Sequence, residues 1–119
     1  MGLLNATAVD PAELVQKHGH ALIDGEEVLF AFKTIRDFIG FTSWRVLHVN
    51  VQGITGSKRE YLSIPYRAIT AFAIESAGTF DLDAEVKVFL SGHDPIEFKI
   101  GRDSDLRGLQ TWLAKKLDR

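Results

Sequence analysis

The sequence contains no cysteine among its 119 residues. Without thiols there is no disulfide framework, no thiolate nucleophile and no cysteine-based zinc site. A chain of this length can bury one hydrophobic core without covalent or metal support. We therefore predict a single domain, residues 1–119, that is held together by side-chain packing.

Long apolar runs and an excess of basic residues are also missing. No stretch approaches the roughly 18 to 20 continuous apolar residues of a membrane span, and the N-terminus lacks the basic start of a signal peptide. With 14 Lys and Arg against 16 Asp and Glu, the formal net charge is -2. This balance argues against nucleic-acid binding and weakly against an anionic membrane surface, although it does not exclude a local basic patch. The default expectation is a cytoplasmic protein.

Extended segments dominate the residues that are present. Aromatic and β-branched residues fill positions 38–49 and 59–66, and residues 52–56 between them supply two glycines for a turn. Residues 36–66 therefore predict a long β-hairpin. Pro65 has no backbone N–H to donate, so it belongs at an edge or a bend of the sheet.

Shorter patterns predict the other elements. Asp10, Pro11 and Glu13 are typical of a helix N-terminus and predict a short helix over about residues 11–18. From Asp103 apolar residues recur at spacings of three and four, which predicts a C-terminal helix to about residue 118. Period-two alternation predicts further strands at 28–33, 68–76, 82–91 and 96–100, with a tight turn from Gly92 to Pro95.

The strand at residues 28–33 is apolar on both of its faces. An antiparallel strand normally leaves one face to solvent, so the outer face needs a cover. Either an N-terminal segment such as Gly2-Leu3-Leu4 or a neighbouring subunit can supply it. We give a slight preference to the subunit and predict Leu29, Ala31, Trp44 and Phe89 as interface residues.

Together these patterns define a mainly β (α+β) fold. We expect six or seven antiparallel strands over about residues 22–101, forming one strongly bent sheet or barrel. The short helix precedes them, and the amphipathic helix at about residues 103–118 plugs one open end.

Several motifs occur in an order that resembles the bacterial pleckstrin-homology (PH) domain family. They are Arg36-Asp37, Phe41-Thr42 with Arg45, Gln52 to Gly56, Ser63 to Tyr66, and Glu75 to Glu85. The resemblance covers about residues 25 to 117. It implies a PH-like seven-stranded sheet or barrel closed by a C-terminal helix, and homo-oligomers that form rings. It implies neither a reaction nor a ligand.

The sequence departs from the family pattern at several positions: Asn50 stands where the family has an aspartate, and two lysines are missing. Trp44 and Ser57 stand where the family commonly has lysines, so any anion contact those lysines make elsewhere is in doubt here. The remaining candidates for an anion site are Lys33, Arg36 and Arg45. A phosphate site needs several such donors, and Asp37 offsets Arg36. The alternative is an internal ion pair that pins the loop.

No catalytic, metal or cofactor site is predicted. Asp81, Asp83 and Glu85 share a strand face, but such a face holds its side chains about 7 Å apart, too far for convergent metal ligation. The histidines, which we expect at the surface or near helix ends, follow no metal-ligand spacing: His18, His20, His48 and His93.

The function expected from the sequence is a non-enzymatic PH-like scaffold without a cofactor. It would assemble into a homo-oligomer, with a ring favoured by the resemblance, and present a surface to an unidentified protein partner. The alternative is binding of an anionic ligand or lipid head group through Lys33, Arg36 and Arg45. Nucleic acid is not an expected partner, and membrane binding is disfavoured without being excluded.

Overall fold

The computed structural model describes residues 4–76, 84–101 and 105–118. The chain divides into two compact units, one of Ala8–Pro65 and one of Met1–Thr7 with Tyr66–Arg119. Within the described residues the elements are, in chain order, β1 (Leu4–Val9), α1 (Pro11–His18), β2 (Val28–Lys33), β3 (Phe38–Thr42), β4 (Arg45–Gln52), β5 (Lys58–Pro65), β6 (Ile69–Ser76), β7 (Ala84–Leu90), β8 (His93–Ile100) and α2 (Leu106–Leu117).

The unit of residues 8–65 is built on an antiparallel meander. Strands β2, β3, β4 and β5 pair in sequence order. The turn from β4 to β5 contains Gly53 and Gly56, whose φ angles are 83° and 73°. The predicted hairpin and its positive-φ glycines are therefore confirmed. Pro65 ends β5, a position that requires no donated ladder bond.

Helix α1 covers one face of this meander. Asp10 caps it, because its side chain accepts a hydrogen bond from the N–H of Ala12 at 2.9 Å, and Pro11 begins it as predicted. Leu14 is fully buried against the sheet, with its Cδ1 atom 2.9 Å from where a Cβ at Gly40 would lie. Glycine at position 40 thus lets the helix approach the strand closely.

The opposite face of the meander is buried as well. Its side chains include Phe32 and Phe41, which pack edge to face with ring centroids 6.1 Å apart, and Ile39 and Val46. Burial on both faces explains the doubly apolar pattern of β2. On one face the cover comes from the N-terminal segment, through Val9 and Leu14, while Gly2 and Leu3 lie outside the described residues.

The other unit is a second group of strands. Strands β6, β7 and β8 pair antiparallel in sequence order, and β1 joins β8 in parallel over Leu4–Ala6 and Phe98–Ile100. Helix α2 packs on β6 and on a 3₁₀ turn, Tyr66–Ala68. It begins after Asp105, whose side chain accepts from the N–H of Gly108, and buries Leu109 and Leu113.

The predicted mainly β fold with a short first helix and a C-terminal helix is confirmed, with two differences. Strand β1 was not predicted, since the segment LNATAV carries small and polar residues that give a weak strand pattern. The tight turn predicted from Gly92 to Pro95 is wrong: only Ser91 and Gly92 turn the chain, and β8 begins at His93. A bulge absorbs Pro95, because Leu90 pairs with His93 and Val88 with Ile96.

Candidate anion-binding site

A cavity of about 290 Å³ opens within the unit of residues 8–65, at the end of the meander that carries the β2–β3 and β4–β5 turns. Basic side chains make up half of its wall and apolar side chains most of the rest. The lining residues are Lys17, His18, Lys33, Ile35, Arg36, Phe38, Val51 and Arg59.

The strand register places these side chains on one face. Lys33 lies directly opposite Phe38 across β2 and β3, and Val51 lies opposite Arg59 across β4 and β5. Directly opposed residues of antiparallel strands point to the same side of the sheet. Helix α1 packs over this face and adds Lys17 and His18 from its last turn.

Two ammonium groups flank the aromatic ring at the base of the cavity. The Nζ atoms of Lys17 and Lys33 lie 5.8 Å and 5.6 Å from the centre of the Phe38 ring, within range of a cation–π attraction. Lys33 also pairs with Glu13 at 3.3 Å, and the hydrogen bond to this carboxylate raises the pKa of Lys33. Lys33 therefore stays protonated, and Glu13 partly neutralises its charge.

Arg36 bridges the two turns at the mouth of the cavity. Its Nη2 donates to the carbonyl oxygen of Gly53 at 2.5 Å. Asp37, which we expected to offset Arg36, has other partners: its Oδ1 accepts from the N–H of Val51 at 2.9 Å and its Oδ2 lies 3.6 Å from Nε2 of His48. The two residues thus fix the loop through separate contacts rather than as one ion pair.

His18 lines the cavity and also lies beside the rings of His20 and Tyr61. Its Nδ1 and the Nε2 of His20 lie 3.2 Å and 3.1 Å from the hydroxyl of Tyr61. One hydroxyl can donate to one of these nitrogens and accept from the other. Burial lowers the pKa of His18, and the positive charges of Arg59, His20 and Lys17 lower it further. His18 is therefore harder to protonate than an ordinary histidine, and a negative charge beside it would favour protonation.

Arg45 is not part of the cavity. It lies near the β3–β4 turn, where its Nε and Nη2 donate to the two carboxylate oxygens of Glu26 at 2.8 Å each and its Nη1 donates to Ser63 at 2.6 Å. The Glu26 side chain is fully buried, and the hydrogen bond from Arg45 lowers its pKa to about 2. Of the three predicted cations, the structure brings together Lys33 and Arg36 and commits Arg45 to a buried ion pair.

The sequence missed Lys17, His18 and Arg59. Lys17 and His18 close a helix whose position over the sheet depends on Leu14 and Gly40, two residues with no charge signal. Arg59 reaches the same face only through the pairing with Val51. Helix periodicity and the hairpin register together predict that these three side chains share one face. That prediction also requires knowing where the helix packs on the sheet.

The residues predicted as an interface have different environments. Ala31 is 2% exposed under helix α1 and Leu29 is half-buried, so the chain itself covers much of β2. Trp44 and Phe89 keep 48% and 38% of their surface exposed. They are the members of the set that a second molecule can reach.

We expected the histidines at the surface or near helix ends, and two of the four are buried instead. His18 and His48 are both buried at 6% exposure, because one packs its ring against Phe38 at 5.5 Å and the other lies in the middle of β4. His93 is exposed, with Nδ1 2.8 Å from the carbonyl oxygen of Asp94.

Within the described parts of the chain, no cluster of three or more His, Asp or Glu residues could hold a metal ion. Asp81 and Asp83, which were weighed as metal ligands with Glu85, lie outside those parts. The helices that the structure describes are also too short or too polar to cross a bilayer.

The two groups of antiparallel strands, the C-terminal helix and the family motifs on the first meander define a PH-like domain. The profile of the bacterial PH domain family matches residues 1–117, and the chain belongs to this family. It is 42% identical to the uncharacterized protein YjqA of Bacillus subtilis, over 95% of this chain and 93% of that protein.

Two solved structures have the same fold. The first is a DUF1696 family protein with a pleckstrin-homology domain from Shewanella loihica, at 41% identity and a TM-score of 0.79 over 98% of this chain and 99% of that one. The second is a pleckstrin-homology domain from Shewanella amazonensis, at 43% identity and a TM-score of 0.65 over 92% and 89% of the two chains. The predicted family and fold are confirmed.

Proposed function

We propose that this domain is a non-enzymatic module that binds a small phosphate-bearing anion in the cavity of residues 8–65. The observation that supports the proposal best is the wall of four Lys and Arg side chains around one opening, Lys17, Lys33, Arg36 and Arg59. Glu13 is the one carboxylate that pairs with any of these four in the described residues. Three cations thus remain without a carboxylate partner there, which suits a doubly charged anion.

The size and lining of the cavity restrict the class of ligand that it can hold. A volume of about 290 Å³ lies at the small end of the range for ligand pockets. Phe38 and Val51 give it an apolar base, and its small volume favours a small anion over a large polyanion. His18 adds a further donor once it is protonated, and the anion itself favours that protonation.

Calorimetric titration with pyrophosphate at low ionic strength tests this proposal. Wild type should bind, and Arg36→Met or Arg59→Met should each weaken binding about tenfold, because each removes a charge-assisted hydrogen bond. Lys115→Met, a change at an exposed lysine of α2, is the matched control and should bind like wild type. Absence of binding, or an equal loss in the Lys115 variant, would refute a specific site.

Self-association is a second candidate function, supported by the exposure of Trp44 and Phe89. We propose that these aromatic side chains contribute to a contact between copies of the chain, in a cytoplasmic oligomer that also presents a surface to a protein partner. Light scattering across micromolar concentrations measures the assembly state. A strict monomer, or an oligomer that Trp44→Ser and Phe89→Ser leave intact, would remove this candidate.

A further inference from the structure

Three atoms that can ligate a metal ion meet where the end of α1 contacts β5. The Nδ1 atom of His18 and the Nε2 atom of His20 lie 3.2 Å and 3.1 Å from the hydroxyl oxygen of Tyr61. His18 is the last residue of α1, His20 lies in the 3₁₀ turn Gly19–Ala21 that follows it, and Tyr61 is in the middle of β5. The fold thus brings two imidazole nitrogens and a phenol oxygen together from distant parts of the chain.

The spacing of these atoms suits a single coordination sphere. Nitrogen and oxygen ligands lie about 2.0–2.2 Å from zinc, so two ligand atoms are about 2.9 Å apart at a right angle and about 3.4 Å apart at a tetrahedral angle. The separations of 3.1 Å and 3.2 Å lie between these values. The ring centres of His18 and His20 are 6.3 Å apart, whereas tetrahedral ligation needs about 5 Å. Rotation of the exposed His20 side chain can supply that difference.

One of the two histidines is fixed and the other is accessible. His18 is 6% exposed, and its ring packs edge to face against Phe38 and Tyr61 at 5.5 Å and 5.7 Å between centroids. His20 is exposed and packs its ring against Tyr61 at 5.4 Å. The group therefore combines an inner ligand whose orientation is set by packing with an outer ligand that solvent reaches, which gives an ion a path of entry.

The neighbouring charges select the kind of ion. Lys17 and Arg59 line the cavity beside His18, and none of the three donor atoms belongs to a carboxylate. Calcium and magnesium are bound chiefly through carboxylate, carbonyl and water oxygens. Imidazole instead suits zinc, copper and nickel, whose bonds to nitrogen depend less on charge attraction. The donor set therefore favours a transition-metal ion over a hard cation.

We propose that His18, His20 and Tyr61 form a binding site for a divalent transition-metal ion such as Zn²⁺. His18 ligates through Nδ1 and His20 through Nε2, and each keeps the proton on its other ring nitrogen. Tyr61 ligates as the phenolate, and since a phenol is ordinarily protonated at neutral pH, its proton passes to solvent when the ion binds. Water or another small ligand completes the coordination.

This site goes beyond the anion-binding function and does not rest on it, because His20 and Tyr61 do not line the cavity. It also departs from the expectation that the histidines form no metal site. That expectation used spacing along the chain, which does not reveal a tyrosine 41 residues beyond His20.

Calorimetric titration of the untagged, EDTA-treated protein with zinc chloride at about pH 7.5, where imidazoles are mostly neutral, tests the proposal. Wild type should bind about one Zn²⁺ per chain and release about one proton, which titrations in two buffers of different ionisation enthalpy measure. Loss of a partner that only orients a ligand costs about 10- to 100-fold in metal affinity. His20→Gln removes a ligand and should therefore weaken binding at least about tenfold.

Two further variants complete the titration. Tyr61→Phe should weaken binding and abolish the release of the proton. His93→Gln, at an exposed histidine of β8, is the matched control and should bind Zn²⁺ as wild type does. Absence of Zn²⁺ binding, an affinity that His20→Gln leaves unchanged, or proton release that Tyr61→Phe leaves unchanged would each overturn the site. Equal affinity for Mg²⁺ would also overturn it, since charge attraction rather than ligation would then hold the ion.

Nitrogen NMR of the imidazole rings tests the site in wild type, without relying on a variant that keeps its fold. Zn²⁺ should shift Nδ1 of His18 and Nε2 of His20 in parallel and leave both ring nitrogens of His93 unchanged. Equal shifts at His93, or none at His18, would contradict the site.

Discussion

The two ends of the β2–β5 meander use basic residues in different ways. At the β3–β4 end, Arg45 is held by both oxygens of a fully buried Glu26 and by the hydroxyl of Ser63. At the other end, Lys17, Arg36 and Arg59 surround a cavity and pair with no carboxylate among the described residues. One end is a closed ion pair, which we call the Arg45–Glu26 pair, and the other is an open cationic site.

This difference shows that the role of a basic residue depends more on whether it has a carboxylate partner than on whether it is Lys or Arg. A buried charge that loses its partner remains in a poorly solvating environment, so removing one member of the Arg45–Glu26 pair should destabilise the fold. A cation at the mouth of a cavity keeps water around it and loses little when it is free. A basic residue with a buried carboxylate partner therefore stabilises the fold, whereas one at the open end is free to contact a ligand.

The largest expected effect comes from breaking the closed pair. Arg45→Met should destabilise the protein by about 3 to 5 kcal/mol, since Glu26 would remain buried without its partner. Urea unfolding followed by circular dichroism measures the loss. Arg36→Met is the control from the open end and should cost less than about 1 kcal/mol; equal losses would contradict the distinction between the two ends.

The second largest effect is the loss of folding stability when acid protonates Glu26 in the Arg45–Glu26 pair. The folded pKa of Glu26, about 2, lies below its ordinary value of 4.5, so the stabilisation is present above pH 4.5 and is lost as the pH falls towards 2. The shift corresponds to about 3 kcal/mol as an upper value. Stability of wild type and Glu26→Gln measured across this range should converge at low pH, and parallel curves would show that Glu26 is not responsible.

A smaller effect is expected at the turn of the open end. Gly53 has a φ of 83°, where a β-branched residue is strained although nothing lies within 4 Å of the missing Cβ. Gly53→Val should therefore destabilise the fold by about 1 kcal/mol or more. Thermal unfolding measures it, and Ser57→Val, which lies in the same turn segment without that constraint, should be nearly neutral. An unchanged melting temperature for the Gly53 variant would contradict the geometry.

The smallest effect concerns the pH dependence of ligand binding. Because the pKa of free His18 is lowered and a bound anion would raise it, binding takes up a proton, and affinity should increase as the pH falls. Sulfate is a suitable probe, since its charge is constant between about pH 7.5 and 5.5. Wild type should gain about threefold in affinity over this range, while His18→Gln should gain clearly less. An identical gain in both proteins would show that a group other than His18 takes up the proton.

The sequence predicts the elements of this protein better than it predicts the site. Helix α1 and the central hairpin follow from Asp10-Pro11, from the β-branched runs and from Gly53 and Gly56, all of which act locally. Strand β1 depends on pairing with β8, which lies about ninety residues away in the chain, and local pattern carries no trace of it.

The site depends even more on long-range contacts. Lys33 and Arg36 are close in sequence and were predicted together, but Arg45 was grouped with them although Glu26 removes it from the site. Arg59 joins only through the register of β4 and β5, and Lys17 only through the docking of α1. Charge along the chain does not reveal which cations keep a carboxylate partner after folding.

The most direct test of the central claim is an amide NMR titration of the isotope-labelled protein with pyrophosphate at low ionic strength. We predict saturable shifts concentrated at residues 17–18, 33–38 and 51–59, around the open cationic site. Residues 42–45, beside the Arg45–Glu26 pair, should shift little. Shifts of equal size at both ends, or none that saturate, would contradict the claim that the two ends hold their cations for different purposes.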